Sequence, residues 1–235
     1  MKKVIFSLAA CCIVAAVNAQ NKFYVLPSVG AGISNIHQTF YSPVVQESDI
    51  KNDVVFNYNT QLLLGYQWKH FVIETGAQYL TTGNSNEFAF VTVEPPQPEF
   101  LYRKVTYKYT SITIPVQIGY EIPVSPAFSV TPTIGANIGF NLSQQYSWKD
   151  LNDHESTEKL PNDLYGNNFK KTSIWGNAGV RLSYKINERI AIVGGPGFQY
   201  MLNNFVEDPV ISSTFKSTQR NYSLDFNLGV RVNLL

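Results

Sequence analysis

The sequence contains very little cysteine and has no apolar run long enough to make a comfortable membrane helix. Its two cysteines, Cys11 and Cys12, lie close to the N-terminus of a chain of 235 residues. If the first 19 residues are removed as a signal peptide, no cysteine remains. That excludes disulfides, thiolate catalysis and cysteine-based metal sites. The three histidines, His37, His70 and His154, are too scattered to indicate a metal site or a catalytic triad.

A strong excess of charge is also missing. The chain has 18 Lys and Arg against 17 Asp and Glu, and the loss of Lys2 and Lys3 changes its formal net charge from +1 to −1. No segment is strongly basic, so we expect no nucleic-acid partner. Aromatic residues, in contrast, are abundant, with 14 Tyr and 15 Phe. Soluble domains seldom use so many, whereas a protein with two membrane interfaces does.

The first 19 residues are typical of a secretory signal peptide. Lys2 and Lys3 precede the apolar stretch 4–17, and Val17-Asn18-Ala19 supplies small residues for cleavage after Ala19. The stretch is short for an uncleaved anchor. Residues 8–11, Leu-Ala-Ala-Cys, also spell a lipoprotein cleavage site, but apolar residues continue after the cysteine. We therefore predict a signal peptide over 1–19 and a single domain over 20–235.

Period-two alternation of apolar and polar residues recurs along this domain and predicts β-strands. Eight segments show it: 23–36, 55–68, 71–82, 107–122, 128–143, 173–186, 190–202 and 222–235. Short connections (68–70, 122–127, 187–189) alternate strictly with long polar ones (37–54, 83–106, 144–172, 203–221). Short turns at one end and long loops at the other are typical of bacterial outer-membrane barrels.

The two faces of each segment differ in chemistry. Within 55–68, one face carries aromatic and aliphatic side chains and the other mainly amides. An oily outer face suits lipid and a polar inner face suits a lumen. A sheet in lipid must also close, because each unpaired backbone group there costs several kcal/mol. The pattern predicts an all-β, eight-stranded antiparallel transmembrane β-barrel, with no plug or appended domain and with both termini in the periplasm.

Aromatic residues are expected at both membrane interfaces. Tyr58 and Tyr66 are eight residues apart, which is roughly 26 Å along a strand and about 20 Å after tilt. That distance is close to the height of an apolar band in lipid. The predicted interface residues are Tyr66, Trp68, Phe71, Tyr120 and Tyr184 near the short turns, and Tyr58, Tyr79, Tyr200 and Tyr222 near the long loops.

Six charged residues are predicted to face the lumen: Glu74, Glu121, Arg181, Lys185, Asp225 and Arg231. Buried charges need partners, and an eight-stranded barrel has an interior only just wide enough for side chains. We expect a salt-bridge network that plugs the barrel. The alternative is that the residues nearest the ends are solvated at the mouth.

Two further segments have a distinctive composition. Gly194-Gly195-Pro196-Gly197 interrupts the seventh strand, where a local bulge is expected and a kink or lateral opening is the alternative. The longest connection, 144–172, mixes charged, aromatic and amide residues. We expect a solvated loop there, with binding of a partner or a sugar, or an extension of the hairpin, as alternatives.

The segments YTSITIPVQIGYEI and SVTPTIGANIGFNL, over 109–122 and 129–142, together with a signal ending in Ala-Gln, resemble the PorT-like outer-membrane β-barrel family of Bacteroidetes. One departure is the C-terminus, which ends in Asn-Leu-Leu instead of an aromatic residue. The resemblance implies an outer-membrane location. It also implies the barrel-assembly machinery, outer-membrane lipid and lipopolysaccharide, and secretion-apparatus proteins as partners.

These observations favour a non-catalytic envelope protein that acts structurally or through its loops and needs no cofactor. A narrow pore for small solutes and a lipid-modifying enzyme are the two alternatives. A lipid-modifying enzyme needs a base, a nucleophile and an acid close together at the membrane surface. The sequence shows no such cluster.

Overall fold

The computed structural model describes residues 21–41, 48–49, 52–92, 99–149, 155–159, 170–205 and 216–234. The predicted signal peptide, residues 1–19, and His154 lie outside the described residues. Eleven strands occur in the described part: β1 (Asn21–Tyr41), β2 (Ser48–Asp49), β3 (Val55–Trp68), β4 (Phe71–Thr92), β5 (Glu99–Tyr120), β6 (Ile122–Pro123), β7 (Phe128–Lys149), β8 (Glu155–Lys159), β9 (Thr172–Lys185), β10 (Ile190–Met201) and β11 (Lys216–Asn233).

Eight of these strands close into a barrel. The order β1-β3-β4-β5-β7-β9-β10-β11 is antiparallel throughout, and β11 pairs back with β1 from Tyr24↔Asn233 to Tyr41↔Lys216. The short strands β2 and β8 extend the long-loop end, while β6 pairs with β7 near a short turn. The predicted eight-stranded antiparallel barrel is confirmed. Closure gives every barrel strand a hydrogen-bonded neighbour on both sides, as lipid requires. None of the described residues forms a helix that is both long and apolar enough to cross a membrane.

Side-chain exposure follows the predicted alternation. In β3, Asn57, Asn59 and Leu63 are buried, while Phe56, Leu62 and Leu64 are exposed. The same pattern in the other strands leaves a continuous band of large apolar side chains on the outside. In water such a band would be an exposed patch far larger than soluble monomers carry.

All nine predicted interface aromatics lie on the outward face of their strands. Near the short turns Trp68 stacks on Phe71 at 6.3 Å, and Phe71 meets Tyr120 edge-on at 5.2 Å. Near the long loops Tyr58 stacks on Tyr79 at 6.2 Å, and Tyr200 pairs with Tyr222. The rings thus form two bands at the two ends of the apolar wall. Trp68 stands beside the β3–β4 turn, as the sequence indicated, and Lys69 in that turn has a φ of 54°.

Several strands run further on the long-loop side than the alternation predicted. β4 and β5 remain paired as far as Thr92↔Glu99, although 83–106 was expected to be a loop, and β7 reaches Lys149. Beyond the lipid a strand needs no oily face, so its sequence loses the alternation that identifies it. Its backbone still pairs. A register shift between Thr110 and Ser111 marks the part of the β5–β7 ladder where this extension begins.

The bulge expected at residues 194–197 is absent. The β9–β10 pairing skips Gly195 and Pro196, but Gly194↔Leu182 and Gly197↔Gly179 keep one register. Proline lacks the N–H that a ladder bond requires, so bonds are missing without any inserted residue. The β10–β11 pairing continues through the same residues. A Cβ atom on Gly195 would collide with the Val180 carbonyl, which explains glycine at this position.

Candidate functional site in the barrel lumen

The lumen contains an ion pair close to the short-turn end. Both guanidinium Nη atoms of Arg181 on β9 donate to the Glu74 carboxylate of β4, with Nη2–Oε2 at 2.6 Å. Tyr24 Oη donates to Oε1 at 2.5 Å, and Gln117 Nε2 donates to Oε2 at 2.7 Å. The Glu74 side chain is 1% exposed. Four donors from three other strands therefore satisfy this buried carboxylate, which is what a charge in a confined interior needs.

A second ion pair lies nearer the short turns. Arg231 on β11 donates from Nη1 to Glu121 Oε2 at 2.9 Å and from Nη2 to Gln67 Oε1. Its Nε donates to Asn233 Oδ1 at 3.0 Å, and its guanidinium lies 3.9 Å from the centre of the Tyr24 ring. Because Tyr24 also binds Glu74, the two ion pairs share one aromatic residue. They form one connected network across the barrel.

Two of the six predicted lumen charges lie outside this network. Asp225 is buried, and it accepts hydrogen bonds from Asn57 Nδ2 at 2.7 Å and Ser223 Oγ at 3.0 Å. It stands six residues away from Arg231 along β11, which is roughly 20 Å of strand. Lys185 is exposed at the short-turn mouth and forms no ion pair with the residues that the structure describes.

Amide side chains fill the lumen beyond the ion pairs. Asn177 Nδ2 donates to Asn137 Oδ1 at 2.5 Å, and Asn137 Nδ2 donates to Gln199 Oε1 at 2.9 Å. On the other side Thr113 Oγ1 donates to Gln78 Oε1 at 3.0 Å. These inward positions are the amide face that the alternation indicated.

An apolar cluster lies in the lumen near the long loops, and the sequence interpretation missed it. Its buried members are Leu80, Tyr109, Trp175, Met201 and Phe205. Tyr109 meets Phe205 edge-on at 4.7 Å. The period of two was enough to place Trp175 inward, since it lies two residues before Asn177. Phe205 follows β10 in a predicted loop, so no periodic signal identifies it.

The cavities show how far the interior is filled. A cavity of about 680 Å³ opens at the short-turn mouth and ends at Arg231 and Glu121. Around Arg181 and Tyr24 only about 10 Å³ is open, and the amide region holds about 70 Å³. That is room for a few water molecules. In the described part of the chain, the lumen consists of an open cavity at the short-turn end and small voids separated by side chains.

No group of three or more potential metal ligands occurs among the described residues. His70 lies in the β3–β4 turn, and its Nδ1 is 3.0 Å from the carbonyl oxygen of Glu121, the residue that follows β5. His37 lies on β1 near the long loops.

The ion pair of Glu74 with Arg181 provides a direct stability test. Glu74→Gln or Arg181→Met alone leaves an unpaired buried charge, so each should lower the free energy of unfolding by about 3–5 kcal/mol. The double variant should lose less than the sum. Denaturant unfolding in lipid vesicles, followed by tryptophan fluorescence, measures these differences. Lys108→Gln, which removes an exposed charge at the other end, is the control. Single variants as stable as Lys108→Gln would contradict the assignment.

The chain matches one family model and is similar to several solved structures. Residues 4–192 match the model of the "Outer membrane protein beta-barrel domain" family. No curated protein matches. Among solved structures, the chain is similar to OprG from Pseudomonas aeruginosa (13% identity, 91% of this chain and 96% of that one, TM-score 0.45). It is also similar to a major outer membrane protein from Thermus thermophilus (14%, 92% and 100%, 0.46) and to Neisserial surface protein A (17%, 90% and 97%, 0.38).

The family match covers well over half of the chain, and it agrees with the closed barrel and the lipid-facing apolar wall. The protein belongs to the outer membrane protein beta-barrel domain family and is an outer-membrane β-barrel protein.

Proposed function

We propose that this protein is a closed, non-catalytic barrel that serves the cell envelope through its outer surface and its extended hairpins. The observation that carries this proposal is the filled lumen. Ion pairs, amides and an apolar cluster succeed one another along β9, at Arg181, Asn177 and Trp175. Side chains at three successive levels of the lumen support a barrel that does not conduct solutes. The remaining surfaces available for a role are the two ends and the lipid-facing wall.

The long-loop end is the part that we assign to interaction. The β4–β5 hairpin continues for about a dozen residues beyond Tyr79, which is roughly 40 Å of extended chain. β7 and β8 continue the same sheet on the neighbouring side. A paired sheet holds its shape in water far better than an isolated loop, which reduces the entropy cost of binding a partner. Lipopolysaccharide and secretion-apparatus proteins are the proposed partners, and insertion is proposed to use the barrel-assembly machinery.

The finer family assignment is also a proposal. The Ile114-Pro115 strand and the glycine-containing strand that follows resemble PorT-like barrels of Bacteroidetes. In the structure these are the paired strands β5 and β7, with Pro115 opposite Asn137. The shared motifs thus describe one hairpin of the wall. The secretion-related role is proposed on this resemblance.

Conductance across a planar bilayer distinguishes the closed barrel from the alternative of a small-solute pore. The wild-type protein should show little or no current, because the lumen is blocked. Changing Arg181 and Arg231 together to Ser removes both guanidinium groups and should open conductance or lower thermal stability. Lys108→Gln should change neither. Stable wild-type current steps would identify a pore and contradict the proposal.

The proposal that the protein does not modify lipid is tested by analysing the lipid A of the outer membrane. This proposal is supported by the two lumen glutamates, Glu74 and Glu121, which are each paired with an arginine. Mass spectrometry of lipid A from cells with and without expression should therefore give the same species. A new acylated or deacylated species that depends on expression would establish the enzyme alternative.

The orientation of the barrel is tested with single cysteines, because the chain beyond residue 19 has none. We propose that the short turns and both termini face the periplasm. Thr157→Cys on β8 should then react with a membrane-impermeant maleimide on intact cells, and Glu188→Cys in the β9–β10 turn should react only after permeabilisation. Labelling of Glu188→Cys alone on intact cells would reverse the assignment.

A further inference from the structure

The cavity at the short-turn mouth has no part in the proposed role. It measures about 680 Å³, which is within the range of pockets that hold small ligands. Most of its lining residues are of polar or charged type, among them Gln67, Asn187 and Asn233. Among the described residues, Ala191 and Leu234 are the apolar ones that line it, and none of the described lining residues is aromatic. Such a wall favours a polar ligand over a lipid tail or a nucleobase.

The charges of this cavity are unbalanced. Its basic residues are Lys22, Lys69, Lys185, Arg189 and Arg231, and its acidic residues are Glu121 and Glu188. Arg231 and Glu121 neutralise each other. Of the rest, four are cationic and only Glu188 is anionic, and none of the five forms an ion pair with another described residue. The open mouth therefore carries an excess of about three positive charges.

Two of these lysines point into the mouth and away from the surrounding lipid. Lys22 shares the inward face of β1 with Tyr24, and Lys185 shares the inward face of β9 with Arg181 and Ser183. The ammonium groups of these two lysines therefore face the mouth of the lumen and not the lipid headgroups at the rim. Several cations held around one cavity repel one another, which costs stability unless an anion enters between them.

The rim of the cavity is held in place by hydrogen bonds. Asn187 Oδ1 accepts from the backbone N–H groups of Arg189 and Ile190, and Asn233 Nδ2 donates to the Glu188 carbonyl. On the opposite side Gln67 Nε2 donates to the Lys69 carbonyl at 2.9 Å. Both turns are thus tied to Arg231 at the base of the cavity through Asn233 and Gln67. A prearranged set of cations binds an anion with less loss of entropy.

We propose that this mouth binds a small polar molecule that carries two or more carboxylate or phosphate groups. Lys22, Lys69, Lys185 and Arg189 supply the charge, and the amides of Asn187 and Asn233 contact the polar body. The site goes beyond the proposed envelope role and does not require the lumen to be closed. A conducting lumen would therefore contradict the earlier proposal without touching this one.

Isothermal titration of the full-length protein in detergent micelles at low salt provides the test. Citrate represents the carboxylates, inorganic pyrophosphate represents the phosphates, and sucrose is the neutral polar control. We expect at least one anion to bind, sucrose not to bind, and affinity to fall with added salt because the lysines are solvated. The relative affinities of citrate and pyrophosphate identify which group the site takes.

Variants locate the site. Lys185→Gln should weaken binding about two- to fivefold, and Lys22→Gln with Lys185→Gln about tenfold, as for exposed charge contacts. Lys108→Gln at the opposite end should have no effect. Each variant is first checked for heat-modifiable gel mobility, so that loss of folding is separated from loss of binding. Two results would overturn the proposal: neither anion binds at about 10 mM, or Lys108→Gln weakens binding as much as Lys185→Gln.

Discussion

The structure depends on one constraint: inside lipid, a backbone N–H or C=O group can bond only to the protein itself. Closure of β11 onto β1 meets this requirement for the backbone. It also fixes what the side chains can do, since each strand turns alternate residues outward and inward. Apolar side chains are then favoured on the outside, because lipid surrounds them. The polar residues buried on the inside have little water to bind, and many of them bond to one another.

That requirement explains the composition of the lumen. A buried ion pair adds little stability by itself, because desolvation offsets most of its attraction. The Glu74–Arg181 pair avoids part of this cost through the donors on Tyr24 and Gln117. Asp225 meets the same requirement with neutral donors, Asn57 and Ser223, where no arginine reaches. The interior therefore specifies one arrangement of strands, and a shift of register in β4 or β9 would separate Glu74 from Arg181.

The sequence predicts those parts of the molecule that the membrane constrains. Strand β3 has the predicted bounds, Val55–Trp68, because its whole length crosses lipid and alternates. The outer ends of β4 and β5 were predicted to be loops, because in water the alternation disappears while the pairing remains. Which charges meet in the lumen depends on the stagger of the strands, and a period of two contains no information on stagger. Asp225 shows the consequence, and so does Phe205, which enters the lumen from outside any strand.

The two ends of the barrel differ in structure and in charge. At the long-loop end a sheet extends beyond the lipid, and an apolar cluster occupies the lumen below it. At the short-turn end, cations that form no ion pair with another described residue surround an open cavity whose base is the Arg231–Glu121 pair. Ion-paired and amide side chains occupy the lumen between the two ends. A coupling between the ends would have to pass through the wall or through the hydrogen bonds that join Arg231, Tyr24, Glu74 and Arg181. That network joins four strands at once, so it ties the inner face of the wall together near the short-turn end.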